Sequence, residues 1–397
     1  MQDIQLRNKR LLDSSFKLWV QNVVMDDLDD SIAALVGNEL VSTSAVQQAL
    51  GEKRKGGGSV PGKKPNIDRG MQDGARQLFN DYFSADPVYD AVAFRRRYRM
   101  SKRLFLRIHN KVVSAERYFV QKKDALGVLG STALQKTTAA MRQLCYNVPP
   151  DALDENFRIS KTVAYDSLFK FATSVVEQFG PQYLRAPNEE DIARILAVNK
   201  ARGFWGMWGS IDCMHWGWDK CPKALQGMYK GKEGKPTVIL EAVALYDTWI
   251  WHAFFGMPGT LNDINVLNCS PFLVKVIQGD FQIPPYVLHR VERTNAYFLA
   301  DGIYPQLSCL VKTIHEPMTI TQHYFAKRQE GARKDVERTF ALLQRRFWIL
   351  AQNSRFWFKE HTHLIITCCI VLHNMILEDE RDELTTQENT SLNMTRH

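Results

Sequence analysis

Gly209-Ser210-Ile211-Asp212-Cys213-Met214-His215 is the stretch on which the fold reading turns. Met207 to Ile211 reads as a buried strand that delivers Asp212 at its carboxyl end. A lone aspartate there is often only a turn residue. Three further acids change the reading, because the elements around them can bring them to the same edge. They are Asp263 in Gly259-Thr260-Leu261-Asn262-Asp263, Asp301 in Tyr297-Phe298-Leu299-Ala300-Asp301, and Glu337 in Arg333-Lys334-Asp335-Val336-Glu337-Arg338.

The surrounding pattern supplies the edge. Thr237 to Ala244 and Trp249 to Phe255 read as a second and a third strand, joined into a hairpin by Tyr246-Asp247-Thr248. A helix starts over Asn262 to Leu267, a fourth strand covers Tyr297 to Ala300, and a long helix covers Ala332 to Leu350. This order predicts an α/β protein with a ribonuclease-H-like (RNase H-like) core, a mixed five-stranded sheet with flanking helices. The first and third strands then run the same way with the second antiparallel between them, so Asp212 and Asp263 share a side. A fourth strand parallel to the first and beside it adds Asp301. Glu337 borders an apolar stripe of Val336, Phe340, Leu343 and Phe347 at helical spacing, with Arg333 and Gln344 on its own face.

Converging carboxylates repel one another at short range and are stable together only with cations. Hard oxygen donors suit Mg²⁺ or Mn²⁺, and two such ions can activate water or a 3′-hydroxyl at a phosphodiester. Each acid also has a plain structural reading: a strand-end turn for Asp212, a dipole-favoured helix start for Asp263, an Asp-Gly turn for Asp301, a surface position for Glu337. Their joint appearance in this strand order favours the metal-dependent nuclease.

Upstream, residues 1–50 read as a mildly acidic helical segment and 51–75 as a basic, Gly-rich linker that cannot bury a core. The linker also suits a nuclear-import signal. Residues 76–198 are predicted to form a helical DNA-binding domain, 199–378 the nuclease domain and 379–397 a disordered polar tail. Within the helical part, Leu153 to Phe157 followed by a longer helix after Ser160, with Lys161, Tyr165 and Lys170 near its start, fits a helix-turn-helix and equally a plain bundle.

The net charge is +8, and six cations fall within nine residues: Arg95, Arg96, Arg97, Arg99, Lys102 and Arg103. They are read as a phosphate-contacting arm, against a solvated helix face. Lys230 and Lys232, beside Trp216, Trp218 and Tyr229, are read as holding a DNA end or stacking a frayed base, against an ordinary packed loop. Arg338 is added to the DNA-binding set. Cys213, His215 and Cys221 do not match a structural zinc site. Seven cysteines without framework spacing argue for a reducing compartment. No apolar run of membrane-spanning length and no secretory signal are read.

At these residues the sequence resembles the DDE transposases and nucleases of the PIF/Harbinger superfamily, in particular the plant transposon protein group. The four acid-bearing words carry the likeness, with Leu299-Ala300-Asp301-Gly302-Ile303-Tyr304-Pro305 and Val336-Glu337-Arg338-Thr339-Phe340 in full. Arg345-Arg346-Phe347-Trp348-Ile349-Leu350 and Cys368-Cys369-Ile370-Val371-Leu372-His373-Asn374 fit as well, and the likeness covers roughly residues 90–378. It implies Mg²⁺-dependent cutting and joining of DNA at transposon ends, with Asp212, Asp301 and Glu337 as the triad. Asp263 is similar to the superfamily's extra acid, and whether Asp263 or Asp301 is second in the triad stays open. Cys213 stands where many relatives have Gly. The resemblance also implies a separate Myb-like DNA-binding partner. The expectation is a nuclear homo-oligomer acting on double-stranded DNA at terminal repeats, with two metal ions and no membrane. The alternatives are a catalytically silent, host-recruited adaptor and an RNA nuclease.

Overall fold

The computed structural model describes residues 67–278, 282–288 and 290–394. The expectations for 1–50, and for the linker as far as residue 66, lie outside the described residues. The chain enters directly into helix α1 (Met71–Tyr82), so the last residues assigned to the linker are already helical. Then follow α2 (Ala91–Tyr98), α3 (Lys102–Ala115), α4 (Ala133–Tyr146), α5 (Leu153–Phe157), α6 (Lys161–Tyr183) and α7 (Glu189–Ala201). Their starts obey local chemistry. Asp90, Ser101, Thr132, Ser160 and Asn188 each cap a helix by accepting a backbone N–H bond, and Thr132 and Asn188 form full capping boxes. α6 continues through Pro181 for a further two residues.

Five strands build the central sheet: β1 (Met207–Gly217), β2 (Thr237–Ala244), β3 (Ile250–Pro258), β6 (Tyr297–Leu299) and β7 (Leu310–Val311), in the order β3-β2-β1-β6-β7. β2 runs antiparallel to both β1 and β3, while β6 is parallel to β1 and β7 parallel to β6. The protein is therefore α/β with a mixed five-stranded sheet, as expected from the pattern. β1 is longer than read. It continues past Ile211 to Gly217 because β2 pairs with it all the way, from Ser210 opposite Ala244 to Gly217 opposite Thr237. β4 (Gln282–Leu288) and β5 (Val291–Asn295) form a separate hairpin that the sequence reading did not anticipate.

Helices cover both faces. α8 (Gln226–Tyr229), α9 (Asp263–Cys269) and α10 (Pro271–Gln278) lie in the connections. The long helix α11 (Ile320–Arg346) packs across β1, β2 and β6 through Val336, Phe340 and Leu343, all buried, and Phe347 completes the predicted stripe. It starts twelve residues earlier than the predicted Ala332, at an N-cap formed by Thr319. α12 (Trp348–Ala351) leads to the final helix, α13 (Lys359–Met394).

Two expectations are corrected by α13. The tail from residue 379 is helical to Met394. Asp379 accepts bonds from Arg103 and Ser101 at 2.7 and 2.6 Å, and Glu380 accepts one from Arg346 at 2.7 Å. Partners elsewhere in the fold thus hold the acidic segment in helical form. Second, Lys359–Leu384 is long and apolar enough, by length and composition, to cross a membrane. Two-thirds of its most apolar window, 67%, is buried inside the protein, where Ile365, Ile366, Cys368, Cys369, Val371 and Leu372 meet the core. Cys368, Cys369 and His373 are fully buried packing residues.

The described residues from Asp68 onward form one compact unit, within which both 76–198 and the described part of 199–378 lie. One apolar core runs from Leu78, Phe94 and Phe105 through α6 and α13 to Val238 and Leu240 in the sheet. Asn374 ties three elements at this junction. Its side-chain oxygen accepts from Ile250 N–H at 3.1 Å, and its amide donates to the carbonyls of Ile250 and Tyr183, both at 2.9 Å. Removing the side chain strands three buried backbone groups. Asn374→Ala is expected to destabilise the unit by about 3 kcal/mol or more, read as a lowered urea midpoint.

Candidate active site

Ser210 of β1 lies opposite Leu299 of β6 in the parallel register. Two residues further along each strand direction come Asp212 and Asp301, so the two carboxylates emerge at one level where β6 has ended. Asp212 sits within β1, opposite Ala242, rather than at a strand end as predicted. Asp301 is exposed, and its oxygen accepts the Gly302 N–H at 2.6 Å as the chain turns. Asp263 is the first residue of α9, whose N-cap Asn262 follows the end of β3 at Pro258.

Glu337 comes from α11, and three contacts fix that helix over the sheet edge. The Ser210 hydroxyl donates to the Ala332 carbonyl at 3.2 Å. The Gln329 amide donates to the carbonyls of Ala300 and Val311 at 3.2 and 2.9 Å. One turn before Glu337, Arg333 directs a single guanidinium nitrogen at two acids, 2.7 Å from Glu337 Oε1 and 3.6 Å from Asp212 Oδ2. Arg333 is mostly buried and Glu337 is 44% exposed.

The charges act on one another. Burial pushes the Asp212 carboxyl up to about 6; the Cys213 N–H bond and Arg333 oppose this, and Asp263 and Glu337 add to it. Burial also raises Asp263, with Lys232 and His215 opposing and Asp301 adding to the rise. All four predicted acids thus belong to one electrostatic neighbourhood. Among the described residues no group of three His, Cys, Asp or Glu is placed to hold a metal ion together as the side chains stand. The donor set nonetheless has the chemistry that Mg²⁺ or Mn²⁺ requires: oxygen ligands only, partly dry, with mutual repulsion that a cation relieves. Arg333 supplies part of that relief.

The predicted basic residues divide. Lys232 is exposed and close enough to Asp263 to act on its charge; Lys230 is exposed nearby. Arg338 turns away from the acids, pairing with Asp335 at 3.2 Å and donating to the Tyr246 carbonyl. In the Arg95–Arg103 cluster, Arg95 pairs with Glu380 and Glu383, Arg103 with Asp379, and Arg97 stacks on Tyr89 3.7 Å from the ring centre. Arg99 lies over Tyr146 and Lys102 over Phe83, while Arg96 stays exposed. An arm with all six cations free is therefore not what forms. Trp216, Trp218 and Tyr229 are buried, and the two indoles donate to the carbonyls of Gln352 and Phe356 at 2.7 Å, so they are core residues and do not stack on a base. On α6, Lys170 pairs with Glu116, leaving Lys161 and Tyr165 exposed.

Sequence patterning placed Arg333 beside Glu337 without assigning it a role; the four-residue spacing was the available signal. It missed Gln329 and Lys312, which donates to the Tyr304 and Gly302 carbonyls at 2.8 and 3.3 Å and braces the turn after Asp301. No local motif marks a side chain that bonds to distant backbone.

The chain belongs to the plant transposon protein family, whose model matches residues 181–384. The Protein ALP1-like of Arabidopsis thaliana is 25% identical over 258 residues, covering 64% of this chain and 62% of that protein. The chain thus spans less than two-thirds of the length of the curated relative it matches. Residues 74–113 match a domain of unknown function, and no solved structure matches. The family resemblance carried by the four acid-bearing words is borne out.

Asp212 gives a test of the electrostatics. Its folded value of about 6 exceeds the ordinary 3.8, so the native state holds the proton more tightly. Stability from this group therefore falls as pH rises from the lower value through the upper one. In metal-free buffer, Asp212→Asn is expected to be more stable than the parent at pH 7.5, by up to about 3 kcal/mol. The gain should vanish below pH 4 in urea melts run across that range.

Proposed function

We propose that the protein is a DDE-type transposase or transposase-derived endonuclease with an RNase H-like core. Asp212, Asp301 and Glu337 form its triad and Asp263 is the additional acid. The reading is carried by one observation: Asp263 of α9 and Glu337 of α11 are close enough to act on Asp212 of β1, and Asp301 at the β6 end is close enough to act on Asp263. The strand order β3-β2-β1-β6-β7, with β2 the antiparallel member, supports the core assignment. Family membership supports the activity.

Mg²⁺ or Mn²⁺ held by these four carboxylates, as two ions, would supply the charge stabilisation that attack and departure of oxygen at a phosphodiester demand. The chain's own residues do the rest. The β1–β6 register holds Asp212 and Asp301 level, and the bonds from Ser210 and Gln329 hold α11, hence Glu337, over them. Arg333 pairs with Glu337 and opposes the rise at Asp212 before any ion arrives, since opposite charge favours the charged form. Lys230 and Lys232, exposed beside Asp263, draw in a backbone phosphate. The substrate proposed is double-stranded DNA at transposon terminal repeats, cut and joined in the nucleus by a homo-oligomer working with a Myb-like DNA-binding partner.

A second reading, a silent DNA-binding adaptor, is favoured by the position of Arg333 between Asp212 and Glu337. Incubation with terminal-repeat duplexes and Mg²⁺ or Mn²⁺ separates the two. Cleavage is expected, abolished by EDTA and reduced roughly 10²–10³-fold by Asp212→Asn, Asp301→Asn or Glu337→Gln. Duplex binding that persists in parent and variants alike, without turnover in either metal, selects the adaptor.

A further inference from the structure

A second concentration of charge lies where α2 and the end of α11 line one open cavity of about 500 Å³. Five of the residues around it are arginines: Arg95 and Arg96 from α2, Arg99 at its C-cap, and Arg345 and Arg346 from the last turn of α11. Like charges this close are costly unless something offsets them. Part of the offset is built in. Glu380 accepts a bond from Arg346 at 2.7 Å and lies 3.7 Å from Arg95, which also pairs with Glu383. Five guanidiniums against two carboxylates leave three positive charges over. Arg96 and Arg345 are exposed and make no ion pair among the described residues. The Nε of Arg99 is buried without a hydrogen-bond partner.

We propose that this cavity is a binding site for closely spaced phosphate groups. A guanidinium presents a planar fork of donors that matches two oxygens of one phosphate, and several forks around one space suit adjacent phosphates. Ala91, Val92 and Leu342 line the rest of the cavity. Two sources carry this chemistry, a nucleic-acid backbone and a free polyphosphate. The backbone is favoured because α11 runs on from the cavity to Glu337, eight residues or about 12 Å along the same helix. That preference alone rests on the nuclease reading; the phosphate site itself does not.

The test uses the full chain, a fluorescently labelled duplex followed by anisotropy, and inorganic tripolyphosphate followed by calorimetry. The variants are Arg96→Gln with Arg345→Gln, both exposed and outside the internal ion pairs, with thermal melts to confirm folding. The double variant is expected to bind at least one probe about tenfold or more weakly. For the duplex, the slope of log affinity against log salt should fall by nearly two, about 0.9 for each lost phosphate contact. Loss confined to the duplex assigns the site to a nucleic-acid backbone. Loss confined to tripolyphosphate assigns it to a free polyphosphate and still supports it. Unchanged binding of both probes by the folded double variant overturns the proposal. So does polyglutamate that competes as well as tripolyphosphate at equal charge. Tripolyphosphate binding involves no nuclease chemistry, so its loss in the double variant supports the site even where metal-dependent cleavage is absent, and a failure of the nuclease reading and a failure of this site are told apart.

Discussion

The parallel register of β6 on β1 is the constraint on which the candidate site depends. β6 is three residues long, and alone it has too few ladder bonds to define a position. It is held from both sides, by β1 and by β7. Its side chains confirm the setting: Phe298 and Leu299 are both fully buried. A slip of one residue would turn each of them to the opposite face, so burial on the two faces specifies the pairing. With Ser210 opposite Leu299, Asp212 and Asp301 cannot avoid each other's neighbourhood.

That placement carries an energetic difficulty, and α11 answers it. Burial raises the affinity of Asp212 for a proton, and the charges of Asp263 and Glu337 add to the rise. The helix that brings a further acid, Glu337, also brings Arg333 one turn earlier, so negative charge arrives with its own counter-charge. The apolar stripe from Val336 to Leu343 seats the helix, and Ser210 and Gln329 fix it along its length through bonds to backbone. Packing, polar positioning and electrostatics are thus delivered by one element.

Much of this was legible in the sequence, for reasons that can be named. β2 and β3 are runs of β-branched and aromatic residues around a short polar turn, and their antiparallel pairing follows from that. The caps at Thr132 and Ser160 and the stripe on α11 are local signals as well. The four acids were found because each follows or flanks a patterned element. What was not legible depends on contacts far apart in sequence. β1 outran its apolar segment because β2 offered a partner beyond Asp212. The tail reads as polar and unstructured in isolation, yet Arg95, Arg103 and Arg346 meet its acids. Trp216 and Trp218 read as loop aromatics among lysines, whereas distant carbonyls of Gln352 and Phe356 receive their N–H groups inside the core.

The basic cluster shows most clearly why counting charge differs from locating it. Arg95 and Arg103 spend their charge on α13, and Arg97 is folded against Tyr82 and Tyr89. Such pairs are individually weak at a surface, but as a row along one helix they fix α2 and α3 against α13. The same row determines which cations are left over. Arg96 belongs to the cluster in sequence, while Arg345 comes from more than two hundred residues away and meets it only because α11 ends beside α2. α11 therefore carries acidic chemistry at one point and basic chemistry about two turns on. The local cationic run predicts an arm; the fold converts most of that arm into structure and assembles the available charge from two distant segments.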